Sequence, residues 1–180
     1  MTCDNQPFIA TAPLVLIFCA DVHRWYEAFC RHVDEVRRPD AGDLLLAQAD
    51  ALIAAQNTVV AAESLGIGSC YIGDITENYE THKQLLGLPD HVVPAAMLVF
   101  GYPTPQQQQR IKPIRPQISD IVCQNTYSER PLEEQLSTQQ GLDGAQLAGW
   151  MERFCKRKWN SEFSREMSRS CRVMIEEFIK

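Results

Sequence analysis

Between Asp43 and Leu65 the chain contains no glycine and no proline, and apolar residues fall on nearly every side of the helix this predicts: Leu45, Ala49, Leu52, Ile53, Val59 and Val60. A helix apolar all round does not face water on any side; it belongs in the middle of something larger. In a chain of 180 residues that reasoning predicts a homodimer whose interface centres on this helix. A charge placed at Val59 is expected to weaken the dimer. Gly66 supplies the left-handed residue that ends the helix.

The length fits one domain, or one domain with an appendage. Hydrophobic residues make up 45% and charged residues 22%, which excludes wholesale disorder. Acidic residues outnumber basic ones, 23 to 17, for a formal charge of −6, so a polyphosphate is not attracted and nucleic acid is not an expected partner. The cysteines (Cys3, Cys19, Cys30, Cys70, Cys123, Cys155 and Cys171) are odd in number, form no C-x-x-C pair and show no zinc spacing with the histidines. No metal is expected, and reduced thiols in a cytoplasm explain them better than a disulfide framework. The apolar run Phe8 to Ala20 has Asp4 and no basic residue before it, and Phe18 stands where a leader's cleavage site wants a small side chain. It is also too short to span a bilayer. A soluble, cytoplasmic protein with no membrane partner is expected.

Pro13 to Cys19 reads as a strand buried on both faces. His23 to Arg38 is amphipathic and helical in part, with Trp25, Phe29 and Val33 at helical spacing. Gly66, Gly68 and Gly73 crowd the segment GIGSCYIG, where glycine permits positive φ and close approach of the backbone to another object. Glu77 to Leu86 is a short helix stopped by Gly87 and Pro89. Val92 to Tyr102 is a second buried strand with Pro94 near its start. Strands alternating with helices suit a layered α/β or α+β sheet.

From Pro103 to Pro131 there is no apolar period. This stretch reads either as a linker or as an ordered arm that buries Ile118, Ile121 and Val122. Two helical segments follow. One carries the stripe Trp150, Met151 and Phe154, and the other Phe163, Met167, Cys171, Met174 and Phe178. These are packing faces that dock on the main body or on a second copy.

No nucleophile and base stand in a recognisable pattern. Ser64 and Ser69 lie outside any G-x-S-x-G, and GIGSC follows a helix where a dinucleotide fingerprint follows a strand. His82 and His91 flank a short helix and a turn, a place for solvated histidines. No catalytic side chain is assigned.

A set of short motifs takes the reading further. Ala55 to Asn57 reads AQN, Ala61 to Gly68 AAESLGIG, and Tyr71 to Gly73 YIG. Leu85 to Pro89 reads LLGLP and Gly101 to Pro103 GYP, followed by Lys112-Pro113 and by Val122 to Tyr127, close to V-H-E-N-x-Y. Upstream stands Phe18-Cys19-Ala20-Asp21. In this order the pieces resemble the FMN-dependent nitroreductase family, in the branch of the major oxygen-insensitive nitroreductase and its flavin reductase relatives. The resemblance implies an α+β fold with a mixed sheet flanked by helices, a long central helix and an extended C-terminal arm. The chain then forms a single domain over 1–180, with a core at 1–102, an arm at 103–131 and C-terminal helices at 132–180. It implies a homodimer with one FMN in each of two interfacial sites. NAD(P)H would be the co-substrate of a ping-pong oxidoreductase, with a nitroaromatic, a quinone or a free flavin as acceptor. The flavin carries the chemistry, so the protein supplies geometry and positive potential.

Carried over by position, Gln6 matches a glutamine bonded to the flavin, and Tyr71, Ile72, Gly73 and Asp74 match the segment whose backbone meets the ring. Lys112 and Arg115 match the cations that grip the phosphate. Here Lys112-Pro113-Ile114-Arg115 departs from the usual K-P-R, with Arg110 as a rival. The family's N-terminal H-R-S-x-R segment has no counterpart in this sequence, which begins just before Gln6. The expectation is therefore either a fragment of a longer protein or a natural short form. Without those arginines FMN binding is expected to be weaker. The alternative function is a non-catalytic dimeric scaffold or a flavin-binding remnant.

Overall fold

The computed structural model describes Cys3 and residues 5–180; Asp4, used above against a leader peptide, lies outside them. After a short helix, α1 (Pro7–Thr11), come β1 (Leu14–Asp21), α2 (His23–His32), α3 (Ala41–Ser64) and β2 (Gly68–Ile72). A 3-10 turn (Gly73–Thr76) leads into α4 (Tyr79–Leu86) and β3 (Val92–Gly101). The sheet order is β1-β3-β2, with Ile17 opposite Met97 in one pair and Ile72 opposite Met97 in the other. The fold is α+β, as expected. The sheet differs from the mixed one implied: among the described residues every pairing is antiparallel. β1 and β2 do run the same way, but β3 separates them, so no two parallel strands are neighbours.

β3 is buried along almost its whole length, as a central strand made of apolar residues must be. Pro94 sits inside it without breaking the ladder. The register slips there, from Phe18 opposite Ala96 to Cys19 opposite Pro94, so the proline stands at a bulge where its missing N–H is tolerated. β1 corrects the sequence reading. It is half-exposed, with Leu14 and Val15 open, because it is an edge strand with a neighbour on one side only.

α3 starts two residues ahead of the predicted helix. Asp40 and Asp43 form a reciprocal capping box at its start. Gly66, at φ +73°, ends it in the left-handed region. One face lies on the sheet, where Ala55 packs with Ala96, Leu98 and Phe100, joined by Val59 and Ala62. Val59 therefore points to the core, and a charge there strikes the fold before any interface. The outward face is not covered: Leu45, Leu46, Leu52, Ile53 and Val60 are all exposed, Ile53 at 61%. By length and composition α3 is also apolar enough to cross a membrane, at a mean hydropathy of 1.3; its inward face is committed to the sheet.

α2 ends at His32, short of the predicted Arg38, because Val33 turns extended and Pro39 disfavours helix in the residue before it. Gly87 stops α4 at φ +61°. The two histidines read as solvated are both buried. His91 Nδ1 lies 2.6 Å from the Phe178 carbonyl, and its ring meets Tyr26 and Phe178 edge-on at 5.1 and 5.6 Å. Apolar neighbours from distant parts of the chain enclose it, and no local signal announces them.

The chain forms two compact units. The first runs to Thr104 and also takes in Glu162–Lys180, which contains α9 (Glu162–Phe178). The α9 stripe docks on this body as expected, with Met174 and Phe178 in one core cluster with Ala20, Leu44, Tyr79 and Val93. The second unit, Pro105–Ser161, holds α5 (Pro105–Gln109), α6 (Ile118–Ile121), α7 (Leu132–Gln140) and α8 (Gly144–Lys158). α7 is a helix the sequence reading did not separate. On α8 the rings of Trp150 and Phe154 stack at 4.9 Å. Ile118, Ile121 and Val122, which the ordered-arm alternative would bury, are exposed.

Candidate functional site

β2 and the turn after it carry the candidate site. Ile72 and Ile75 are buried in a cluster with Cys3, Met97 and Val99, so the segment is fixed from beneath by side chains on either side of Gly73 and Asp74. Gly73 stays exposed. Its φ is not in the left-handed region; what glycine supplies there is access, since an added Cβ meets nothing within 4 Å. A bare backbone thus faces open space.

Asp74 is buried beneath that backbone, and its Oδ2 accepts a hydrogen bond from Gln6 Nε2. Tyr71 is half-exposed, and its hydroxyl donates to Gln56 Oε1 of α3 at 3.3 Å. The Thr76 hydroxyl lies 3.1 Å from the Gly73 carbonyl. The structure therefore brings Gln6, Tyr71, Ile72, Gly73 and Asp74 together in the first unit, with Ile72 offering backbone only. Lys112 and Arg115 belong to the second unit, between α5 and α6, where both side chains are exposed.

Sequence reasoning missed Gln56 as the partner of Tyr71, although AQN was recognised as a motif. It also missed Ser170, fully buried on α9. Its signal was there: Ser170 falls at helical spacing between Met167 and Met174, a small polar residue inside an apolar stripe.

Charge pairs brace the same body. Arg169 forks onto Glu80 at 2.7 and 3.0 Å, and that hydrogen-bonded guanidinium holds the Glu80 carboxyl down at about 2. The Arg37 guanidinium does the same for Asp43, also to about 2. A polar cleft of about 780 Å³ opens among His23, Tyr26, Arg38, Lys83, His91 and Glu177. Its charges are largely satisfied among themselves: Lys83 pairs with Glu177 at 2.9 Å and Asp90 at 3.4 Å, and Arg38 donates to the Lys180 carbonyl. An apolar recess of about 340 Å³ lies between Leu14, Leu16, Ala62, Leu65, Phe100 and Tyr102. Neither is lined by Gln6 or by residues 71–74. At Gly73 the segment is open, with nothing within 4 Å of an added Cβ.

The model of the Nitroreductase family matches residues 1–102. The chain is 37% identical over 132 residues to an oxygen-insensitive NADPH nitroreductase of Salmonella typhimurium, covering 73% of this chain and 51% of the relative. It is 34% identical over 127 residues to an FMN reductase (NADPH) of Bacillus subtilis, covering 69% and 49%. The solved NADPH:FMN oxidoreductase of Vibrio harveyi in complex with NAD+ superposes with a TM-score of 0.66 at 31% identity, over 78% of this chain and 58% of that one. Sheet, helices and comparisons together define an α+β protein of nitroreductase fold. The chain belongs to the nitroreductase family. It spans about half the length of the curated relatives it matches.

Proposed function

We propose that this chain works as an FMN-dependent NAD(P)H oxidoreductase whose acceptors are nitroaromatics, quinones or flavins. The observation that carries the reading is the open Gly73 backbone above the Gln6–Asp74 pair. The donor set fits the group. A planar heteroaromatic ring would meet a backbone that bears no side chain at Gly73, with the half-buried Gln6, held by its bond to the buried Asp74, beside it. When bound, FMN supplies the two-electron chemistry that links a nicotinamide donor to the acceptor.

The residues of this chain bind and orient. Gly73 admits the ring, and the buried Ile72 and Ile75 hold the backbone in place. Gln6 and Tyr71 would offer polar groups to the ring, while the buried Asp74 contributes its backbone and holds the Gln6 amide. Lys112 and Arg115 would neutralise the phosphate dianion, with Pro113 and Pro116 restricting the backbone that carries them.

The open Gly73 backbone also supports the homodimer. A ring lying on the exposed Gly73 backbone would need a second surface to exclude water, and the exposed face of α3 is an apolar surface suited to meeting a second copy. The test is an FMN titration of the purified protein by flavin fluorescence, followed by oxidation of NADPH and of NADH with a nitroaromatic acceptor. Saturable binding with acceptor-dependent turnover is expected. Absence of FMN binding overturns the oxidoreductase reading and leaves the scaffold or remnant alternative.

A further inference from the structure

The turn that carries Gly73 and Asp74 is not held by its sequence neighbours alone. Ser170, in the middle of α9, is fully buried. Its Oγ accepts from the Tyr79 N–H at 2.8 Å and donates to the Thr76 carbonyl at 2.7 Å. One turn earlier on the same helix, Met167 Sδ lies 2.8 Å from the Thr76 hydroxyl, the hydroxyl that also reaches the Gly73 carbonyl. One helix therefore closes both the exit of the turn and the entry to α4.

We propose that Ser170 is a positioning residue: through its two hydrogen bonds α9 sets the conformation of Gly73–Thr76, and with it the backbone that receives the flavin. The functional half of this inference rests on the flavin reading above; the structural half does not. A hydroxyl has one proton to give and lone pairs to accept with, so this one side chain satisfies a buried donor and a buried acceptor at once. Packing alone does not require it, because alanine nearly fills the same space between Met167 and Met174. What alanine cannot do is pair the Tyr79 N–H and the Thr76 carbonyl, and unpaired buried backbone groups loosen the segment that contains them.

The neighbouring Arg169 provides the contrast. It ties α9 to α4 through Glu80 at the surface, and its other partner, Glu166, accepts from the Asn78 backbone, so these bonds end at the entry to α4 and do not reach Gly73–Thr76. If α9 acts merely by being present, loss of either residue has the same consequence. If Ser170 positions the turn, only its own loss reaches Gly73–Thr76.

The experiment is amide hydrogen exchange on the full chain without added flavin, alongside FMN titration. In Ser170→Ala, exchange over residues 74–79 is expected to rise roughly tenfold or more relative to β3. Ser170→Cys, whose thiol bonds weakly, is expected to fall between, and Arg169→Gln to change the turn by less than about twofold. Unchanged exchange over 74–79 in Ser170→Ala overturns the inference. So does a rise of equal size in the turn and in β3, which reports global destabilisation only. In the titration, Ser170→Ala is expected to lose about tenfold in FMN affinity, and equal affinity overturns the functional half. A wild type that binds no FMN defeats the flavin reading itself, and hydrogen exchange then decides Ser170 alone.

Discussion

Gln6 Nε2 donates to Asp74 Oδ2, joining the residue ahead of α1 to the turn after β2 across 68 positions of sequence. A carboxylate as buried as Asp74 is costly to leave without its donor. Gln6→Ala is therefore expected to destabilise the first unit by about 1–2 kcal/mol, read as a lower urea midpoint with an unchanged slope. Gln6→Glu sets a second carboxylate against the first and is expected to do worse at neutral pH. Midpoints equal to wild type in both variants would show that the bond contributes nothing.

Lys112 and Arg115 are exposed, so replacing both by alanine is expected to change stability by no more than about 0.5 kcal/mol. Flavin affinity is where the loss should appear, because two cations near a dianion contribute charge-assisted bonds. The check is an FMN titration at fixed ionic strength with circular dichroism as folding control. Equal affinity in wild type and Lys112→Ala/Arg115→Ala would remove the phosphate assignment.

The two sides of α3 separate an exposed apolar face, the proposed dimer surface, from the core. Ile53→Glu and Val60→Glu lie on the exposed face and are expected to yield folded monomers in analytical ultracentrifugation. Val59→Asp faces the Ala55–Leu98–Phe100 cluster and is expected to destabilise the fold by roughly 2–4 kcal/mol. A wild type that sediments as a monomer at micromolar concentration would remove the dimer.

Acid should weaken the protein through Glu80 and Asp43. Both carboxyls sit at about 2 when folded, below the unfolded values near 4. A group depressed in the folded state contributes stability that is full above its unfolded value and is lost as the pH falls toward its folded one. Both ion pairs reach solvent, so each contributes no more than about 1 kcal/mol at neutral pH. Thermal midpoints measured from pH 7 to 2.5 are expected to hold down to about 4.5 and then decline. Glu80→Gln should flatten part of that decline, and a profile identical to wild type would exclude the Arg169–Glu80 pair as a cause.

Local chemistry was legible wherever a few neighbouring residues fix φ and ψ. From Asp43 onward α3 followed from the lack of glycine and proline, while its first turn, with Gly42, did not. Gly66 and Gly87 marked their helix ends through the left-handed region that glycine enters freely, and the apolar run of β3 marked a strand. The motif order also singled out the segment Tyr71 to Asp74. What each residue meets across the fold was decided elsewhere. His82 and His91 looked like surface histidines because the groups enclosing them arrive from distant segments, as Phe178 does on α9. Val59 and Ile53 are equally apolar, and only the placement of the sheet sends one inward and leaves the other bare. Ser170 acquired its partners because the chain leaves the first unit at Thr104 and returns with α9. A sequence window reports backbone preference and side-chain period, which act within a few residues. The partner of a buried polar group is set by contacts between segments far apart in the chain, and only the packed structure selects among them.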